Sequence, residues 1–424
     1  MNRSDAFERH VSDWLHADAE HRVPDHLDAV LRRTRTERQR PAWSSLERWL
    51  PVQSTLRLTP APRVAWLLVI VGLVVALAAT ALWIGSRQRL PQPFGPARNG
   101  AIVSSHDGDI YAVDPVTHAE RLLVGGKTMD FGPGFSRDGT KLLFLRGSGD
   151  PGDDKGLILA VANADGTAVR ALTPQQQGFD WIDWSPDSRQ IAFLSQPVAG
   201  GPRLINVANV DGSGVTTLDV GRSAHFLSWL PPLGGEIVFR GEQLTPADPP
   251  PGLFAVHPDG SGLRQLSSTP PSNDSDYMTP AVAPDGTRVT YTSNSGYAHI
   301  HVLDLVTGRD IVMPDPANGF TNQFGSAYFS PDGRLVGYVR EFLEDRTYQF
   351  VVAPSDGSGT GTPIGPRLRE PTNDVNWTWT PDGSAVVVDY GADLTVRLLP
   401  IDGSPGTVIG KGDLAFADIQ RLAP

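Results

Sequence analysis

The chain has 424 residues and contains 44 glycines and 37 prolines, a composition that suits many short strands and tight turns better than long helices. It has no cysteine, which excludes disulfide frameworks, thiolate metal sites and cysteine nucleophiles. The net charge of -11 argues against general nucleic-acid binding, and it is uneven: residues 1–63 carry 11 basic and 9 acidic side chains, and the remainder carries 25 and 38.

Residues 1–62 predict a short helical segment. Phe7, Val11, Trp14 and Leu15 follow the spacing of one apolar helix stripe, and a second helix is indicated just downstream. Two such helices bury too little surface to be stable alone. Two interpretations stay open: a docking segment that orders on a cytoplasmic partner, or a loosely structured tail beside a membrane.

Residues 64–84, VAWLLVIVGLVVALAATALWI, are 21 residues without a charge, long enough to cross a hydrocarbon core of roughly 30 Å. Trp66 and Trp83 lie near the two ends, where indole rings favour the membrane interface. Arginines farther from the run are concentrated on its N-terminal side. We therefore predict one transmembrane helix with a cytoplasmic N-terminus and an extracytoplasmic C-terminal domain.

This order of helical segment, basic stretch, membrane span and outer domain resembles the membrane-bound anti-sigma regulators of bacteria. The resemblance implies that residues 1–62 bind a cytoplasmic regulator such as a sigma factor. The zinc-binding version of that family needs a histidine with Cys-x-x-Cys, and this chain lacks cysteine. The four histidines of the segment do not share one helix face, so we predict no metal there.

After a linker at residues 85–98, one phrase recurs, as FSRDG, WSPDS, FSPDG or WTPDG. Proline fixes φ, aspartate accepts hydrogen bonds from nearby backbone N–H groups, and glycine adopts the left-handed conformation, so each copy predicts a tight turn before a strand. The copies lie 45 to 53 residues apart, a period typical of propeller blades. The residues aligned before the turn are Ser136, Ser185, Leu230 (a worn copy), Ala283, Ser330 and Thr380.

Each repeat contains a second phrase, such as NADGT or NVDGS, in which Asp-Gly separates two β-rich runs and predicts a hairpin. One repeat therefore predicts a blade of four antiparallel strands. Runs such as KLLFL and QIAFL are apolar on both faces, as expected for a sheet between two others. We expect the tryptophans near the turns to pack between blades: Trp181, Trp184, Trp229, Trp377 and Trp379.

The two ends of the repeat region complete one another. Ala423-Pro424 matches the opening of a turn phrase, and Asn99-Gly100 stands in for Asp-Gly before the strand AIVSS. We predict an all-β, seven-bladed propeller over residues 99–424, closed by pairing the C-terminal strand with residues 101–124. Six blades are the alternative, if the region around Leu230 is an insertion.

The phrases WSPDS, FSPDG, WTPDG and NADGT resemble the repeats of the TolB-type propeller family, a relative of the WD-repeat proteins. The resemblance covers residues 99–424 and implies the fold. It also implies a domain of the bacterial envelope that binds a partner protein. The predicted membrane anchor departs from TolB itself, so the partner of TolB is not carried over.

No catalytic motif of the G-x-S-x-G, H-E-x-x-H or Walker type is present, and we predict no cofactor. One group of residues stands five to seven positions before the turn phrases, in loops expected to surround one mouth of the channel. It predicts a ring that binds a cation or a basic partner; the alternative is that aspartate simply favours turns. The candidates are Asp130, Asp180, His225, Asp276, Asp374 and Asp418, with Gln323 in the remaining blade.

The sequence leaves several functions open. The first is a membrane-anchored propeller that binds a protein or a small ligand outside and can relay this to a cytoplasmic partner through residues 1–62. The second is an extracytoplasmic enzyme, a lactonase-like hydrolase or a sugar dehydrogenase, which needs carboxylates or histidines converging in the channel. The third is a purely structural envelope protein with an inert tail.

Overall fold

The computed structural model divides the chain into two compact units, Met1–Arg87 and Gln88–Pro424. The predicted segment 1–62 and most of the predicted span 64–84 lie outside the described residues. In the first unit, residues 69–76 form an α-helix with exposed side chains, and no helix in the described part is long and apolar enough to cross a membrane. The structure describes residues 69–76, 90–147, 156–176, 178–198, 200–231, 235–248, 250–267, 280–294, 298–314, 320–321, 327–342, 345, 347–369, 376–390, 394–412 and 417–423.

The described residues of the second unit form seven antiparallel sheets, each of which is one blade in the predicted strand order. The degenerate copy of the turn phrase at Leu230 forms the first turn of a four-stranded blade, where the N–H of Leu230 donates to the carbonyl of Glu236. The alternative of six blades is therefore wrong. Blade 1 consists of β29 (Asp418–Leu422), β1 (Arg98–His106), β2 (Asp109–Val113) and β3 (Glu120–Val124). Blade 2 consists of β4 (Met129–Phe135), β5 (Lys141–Gly147), β6 (Ile158–Asn163) and β7 (Arg170–Ala171). Blade 3 consists of β8 (Phe179–Trp184), β9 (Gln190–Ser195), β10 (Leu204–Asn209) and β11 (Val215–Leu218).

The remaining four blades follow the same order along the chain. Blade 4 consists of β12 (Ser223–Trp229), β13 (Ile237–Glu242), β14 (Gly252–Val256) and β15 (Arg264–Ser267). Blade 5 consists of β16 (Ala281–Val282), β17 (Arg288–Asn294), β18 (Ala298–Asp304) and β19 (Asp310–Val312). Blade 6 consists of β20 (Phe320–Thr321), β21 (Tyr328–Phe329), β22 (Leu335–Phe342), β23 (Thr347–Pro354) and β24 (Thr362–Arg369). Blade 7 consists of β25 (Asn376–Trp379), β26 (Ala385–Tyr390), β27 (Thr395–Pro400) and β28 (Thr407–Lys411).

The core lies between the blades rather than inside any one of them. Seven apolar clusters are found among the described residues, and each joins two neighbouring blades, including the pair formed by blades 7 and 1. First strands of neighbouring blades, such as β8 and β12, contact one another and line the centre of the ring. Because each blade has a neighbour on both sides, its middle strands are apolar on both faces, as predicted.

The predicted closure by the two chain ends is confirmed. β29 pairs with β1, with Leu422 opposite Arg98 and Ile419 opposite Ile102. The prediction of a turn at Asn99-Gly100 is wrong, because both residues lie in β1, where a bulge separates Asn99 from Ile102. Because β29 and β1 are not consecutive along the chain, no turn between them is needed and the ladder can continue through these residues.

The recurring turn phrase serves backbone geometry. In blade 2, Ser136 Oγ accepts a hydrogen bond from the N–H of Lys141 (2.9 Å) and donates one to Asp138 (2.6 Å). Gly139 has a φ of 69°, where a side chain would be strained. Ser185, Ser330 and Thr380 make equivalent bonds in their blades. These serine and threonine hydroxyls therefore hold the turn together.

The tryptophans near the turns pack between blades, as predicted, and three of them also hydrogen-bond to the preceding blade. Each of the three ends a first strand, and its indole Nε1 donates to a backbone carbonyl one position before the end of the preceding first strand. The pairs are Trp184 with Gly134 (3.4 Å), Trp229 with Asp183 (3.1 Å) and Trp379 with Tyr328 (3.1 Å).

Residues 90–97, from the predicted linker, pack on the ring beside the closing strand. Arg421 of β29 is largely buried, and desolvation lowers its pKa to about 10. Its contacts tie the closing strand to this segment, so the start of the second unit is part of the propeller. The contacts of the segment are Arg421 Nη2 to the carbonyls of Gln92 (3.0 Å) and Gly95 (2.6 Å), and the Phe94 ring 5.2 Å from the guanidinium of Arg137.

Candidate functional site

The strand directions give the ring two different sides. Each first and third strand ends in one of the two recurring turn phrases, so these turns share one side, which we call the turn face. On the opposite side, the connection face, the first strands begin, second strands join third strands, and each blade joins the next. The sequence repeats on the turn face and does not repeat on the connection face, where we expect residues with specific functions.

The structure describes four of the six predicted ring residues: Asp130, Asp180, His225 and Asp418. All four lie within first strands at the connection face, rather than in the loops before those strands. The reason is that the second strands are long enough to extend the ladder, so Asp130 pairs with Arg146, Asp180 with Leu194 and His225 with Arg240. Asp276, Asp374 and Gln323 lie outside the described residues.

Two of these four side chains, both of them carboxylates, are already held by hydrogen bonds within the protein. Asp130 is fully buried and accepts two hydrogen bonds from Arg146, from Nε at 2.7 Å and from Nη2 at 2.9 Å. Asp418 accepts the backbone N–H of Phe135 in the next blade (2.7 Å), and burial raises the pKa of Asp418. Asp130 therefore stabilises its own blade, and Asp418 joins blades 1 and 2.

The other two, Asp180 and His225, belong to a network of charged side chains between blades 3 and 4. His225 Nδ1 lies 2.6 Å from Arg203 Nη1, and its Nε2 lies 3.1 Å from Glu242 Oε2. Arg203 Nε also lies 3.4 Å from Asp180 Oδ2. We call this network the Arg203 cluster; it consists of Asp180, Arg203, Ser223, His225, Arg240 and Glu242.

The partners of His225 determine its protonation state. Arg203 can only donate a hydrogen bond, so Nδ1 must accept, and the proton of the neutral ring lies on Nε2, facing Glu242. Burial lowers the pKa of His225, an effect that Glu242 opposes and that Arg203 and Arg240 reinforce. A neutral imidazole therefore holds a guanidinium in place at the connection face.

Two aromatic rings adjoin this cluster in sequence. Trp181 follows Asp180 and Phe226 follows His225, and their rings meet edge to face with centroids 4.9 Å apart. Both residues sit at bulges in the first strands and have left-handed φ angles of 42° and 48°. A left-handed backbone conformation is uncommon for residues with large side chains. It persists where the surrounding structure enforces it, often at functional sites.

The sequence predicted Asp180 and His225 but missed Arg203, Glu242 and the bulges, because the cluster gathers residues from positions 180 to 242 without a motif. One signal was present. The otherwise apolar second strands read KLLFLRG, IVFRGE and LVGYVREF, each with an arginine near its end. These arginines, Arg146, Arg240 and Arg340, lie opposite residues of the first strands and indicate polar partners there.

Chemically, the Arg203 cluster offers a cation and an anion that are both accessible. The side chains of Arg203 and Asp180 are 35% and 48% exposed. Together with the partly buried Trp181 and Phe226, they can bind a ligand that carries both charge and apolar surface. Within the described residues, no three His, Asp or Glu side chains come close enough together to hold a metal ion.

No known protein family matches this sequence, and no curated protein does. Several solved structures share its fold. TolB from Acinetobacter baumannii aligns with a TM-score of 0.50 at 15% identity, over 75% of this chain and 81% of that one. An oligogalacturonate lyase in complex with manganese aligns with a TM-score of 0.53 at 14% identity, over 74% of this chain and 88% of that one. The propeller domain of the Trilobed protease from Pyrococcus furiosus aligns with a TM-score of 0.50 at 13% identity, over 76% of this chain and 98% of that one. At such identities the likeness concerns the fold alone.

Proposed function

We propose that this chain is a single-pass membrane protein of the bacterial envelope whose extracytoplasmic propeller binds a protein or a small ligand at its connection face. Binding is relayed to a cytoplasmic regulator, such as a sigma factor, held by residues 1–62. The observation that carries the binding proposal is the Arg203 cluster, with its exposed ion pair beside two strained aromatic residues.

The membrane anchor is supported by the helix at residues 69–76. It lies within the predicted span, it is apolar throughout, and its large side chains are 53–61% exposed. An exposed surface of this kind on all sides of a helix is unfavourable in water and favourable in lipid. The test is extraction: the full chain should stay in the membrane fraction at alkaline pH and enter solution only with detergent.

Site-specific photo-crosslinking tests the binding face in the full chain. Val198 lies on the connection face, in the connection between β9 and β10 that also contains Arg203, and is 68% exposed. Val306 lies in a turn on the opposite face and is 78% exposed. A photoreactive residue at Val198 should capture a ligand or partner in intact cells, and the matched one at Val306 should not. Equal capture from both positions, or capture at Val306 alone, would contradict the proposal.

The relay has its own test. A photoreactive residue at Trp14, on the predicted apolar stripe, should capture a sigma factor that mass spectrometry identifies. Capture of no regulator, with Val198 still capturing a ligand outside, would limit the function to binding. Hydrolysis of a lactone or oxidation of a sugar by the purified full chain would favour the enzymatic alternative.

A further inference from the structure

The contacts of His225 make the Arg203 cluster depend on the proton state of one ring. Nδ1 lies 2.6 Å from Arg203 Nη1, which can only donate, so Nδ1 must accept; Ser223 Oγ and Glu242 Oε2 lie 3.3 Å and 3.1 Å from Nε2. Since Arg203 cannot accept a hydrogen bond, a proton on Nδ1 would place two donors and two positive charges face to face. We infer that His225 is a proton switch that holds Arg203 at the connection face when neutral and releases it when protonated.

Each element packed around His225 contributes a charged or polar group to this balance. Its own strand β12 presents Ser223, β13 presents Arg240 and Glu242, the segment before β10 presents Arg203, and β8 presents Asp180. Glu242 stays bonded to Nε2 in either state, and it already accepts a hydrogen bond from Arg240. Arg203 is therefore the group that must move, and its partly exposed side chain can turn toward Asp180 and solvent.

Movement of Arg203 would also affect the backbone. The N–H of Ala224 donates to the carbonyl of Arg203 (2.9 Å), and the N–H of Arg203 donates to Ser223 Oγ (3.1 Å). These two bonds join the segment before β10 to the first strand of blade 4. Protonation of His225 would thus loosen the junction between blades 3 and 4, next to Trp181 and Phe226.

His106 provides a natural contrast. It is similarly buried, but its two ring nitrogens lie 3.1 Å from Asp107 and 3.1 Å from Glu120, so both N–H groups of an imidazolium find acceptors. A second ring N–H therefore faces an acceptor at His106, whereas at His225 it faces the guanidinium of Arg203. The opposite surroundings of the two rings make His106 the matched control.

The inference deepens the proposed function, since it regulates the proposed binding site, but its test needs no ligand. Amide hydrogen exchange of the full chain in detergent, corrected for intrinsic rates, is compared at about pH 5 and about pH 7.5, on either side of the ordinary histidine value. We expect the amides of Arg203 and Ala224 to exchange faster at the lower pH, by up to about tenfold per pH unit. The amide of Met313 in blade 5, bonded to Ile300 at 2.8 Å, should not change.

Variants separate the switch from general acid lability. In His225→Gln, the amide oxygen can accept from Arg203 and the amide NH₂ can donate to Glu242, so the neutral arrangement becomes permanent. We expect His225→Gln to lose the pH dependence and His106→Gln to keep it. In Arg203→Met, the amides of residue 203 and Ala224 should exchange rapidly at both pH values. This variant tests the inference if His225→Gln does not fold.

Three results would overturn the switch: no pH dependence in the wild type, unchanged dependence in His225→Gln, or wild-type dependence in Arg203→Met. None of them bears on the crosslinking at Val198. Failure of that crosslinking would in turn leave the exchange result standing, so the two proposals fail separately.

Discussion

The pair formed by Asp130 and Arg146 gives the sharpest test of the first-strand residues. Asp130 is fully buried and takes two short hydrogen bonds from Arg146, at 2.7 Å and 2.9 Å. In Arg146→Met the apolar stem remains but the carboxylate loses its cation, and among the described residues it keeps the hydroxyl of Thr128 (3.3 Å) as a partner. Leaving a buried charge unpaired typically costs about 3–5 kcal/mol, so we expect a loss of that size in the free energy of unfolding.

The measurement is urea unfolding of the full chain in detergent, followed by tryptophan fluorescence and extrapolated to water. The double variant Asp130→Leu/Arg146→Met removes both charges and should recover most of the loss, because an apolar pair of similar volume replaces the ion pair. Arg121→Met, on the exposed outer strand β3, is the control and should change the free energy by less than about 0.5 kcal/mol. A loss below about 1 kcal/mol in Arg146→Met, within the range of a surface ion pair, would refute the reasoning and free Asp130 for ligand binding.

Three further predictions concern the ring. Trp229→Phe removes the indole hydrogen bond to the carbonyl of Asp183 and should lower the free energy of unfolding in urea by about 1–3 kcal/mol. An unchanged free energy would show that this bond between blades does not stabilise the ring. Gly337→Ala places a methyl group 2.8 Å from the Trp377 ring and should cost about 1–3 kcal/mol; unchanged stability would show that the blades separate easily. Burial lowers the pKa of His225 below its usual 6.5, so the unfolded chain binds this proton more tightly. The stabilising contribution of the neutral ring is complete above pH 6.5 and is lost as the pH falls toward the lower folded-state value; His225→Gln should remove this part of the urea-unfolding profile, and an unchanged profile would contradict it.

The sequence predicted the ring well because its architecture rests on local rules that repeat. Ser136, Asp138 and Gly139 specify a turn by their own hydrogen bonds and φ angles, whatever surrounds them. The spacing of these turns then gives the number of blades, and the incomplete repeats at the two ends of the repeat region predict the closure by β29. The turn predicted at Asn99-Gly100 was wrong, because a dipeptide that resembles the turn phrase lies inside strand β1.

The candidate site could be predicted only in part, because it depends on which residues face each other across strands. Arg203 and Glu242 lie far from His225 or outside any motif, and only the ladder and the neighbouring blade bring them together. The bulges at Trp181 and Phe226 follow from tertiary packing, since neither residue favours a left-handed conformation. Periodicity identifies the positions of a propeller but not the chemical state of the side chains there.

Within the described residues, the first-strand position shared by Asp130, Asp180 and His225 has a different role in each of three blades. Asp130 faces Arg146 and is neutralised, so it contributes to stability. Asp180 faces Leu194 in the ladder and keeps its carboxylate half exposed, and its ion partner Arg203 comes from another segment. His225 completes the cluster as a neutral acceptor. The contacts made within the fold decide whether such a group stays available, so among the four blades whose first-strand residue is described we expect binding at blades 3 and 4 rather than at blades 1 and 2, where Asp418 and Asp130 are already held by the protein.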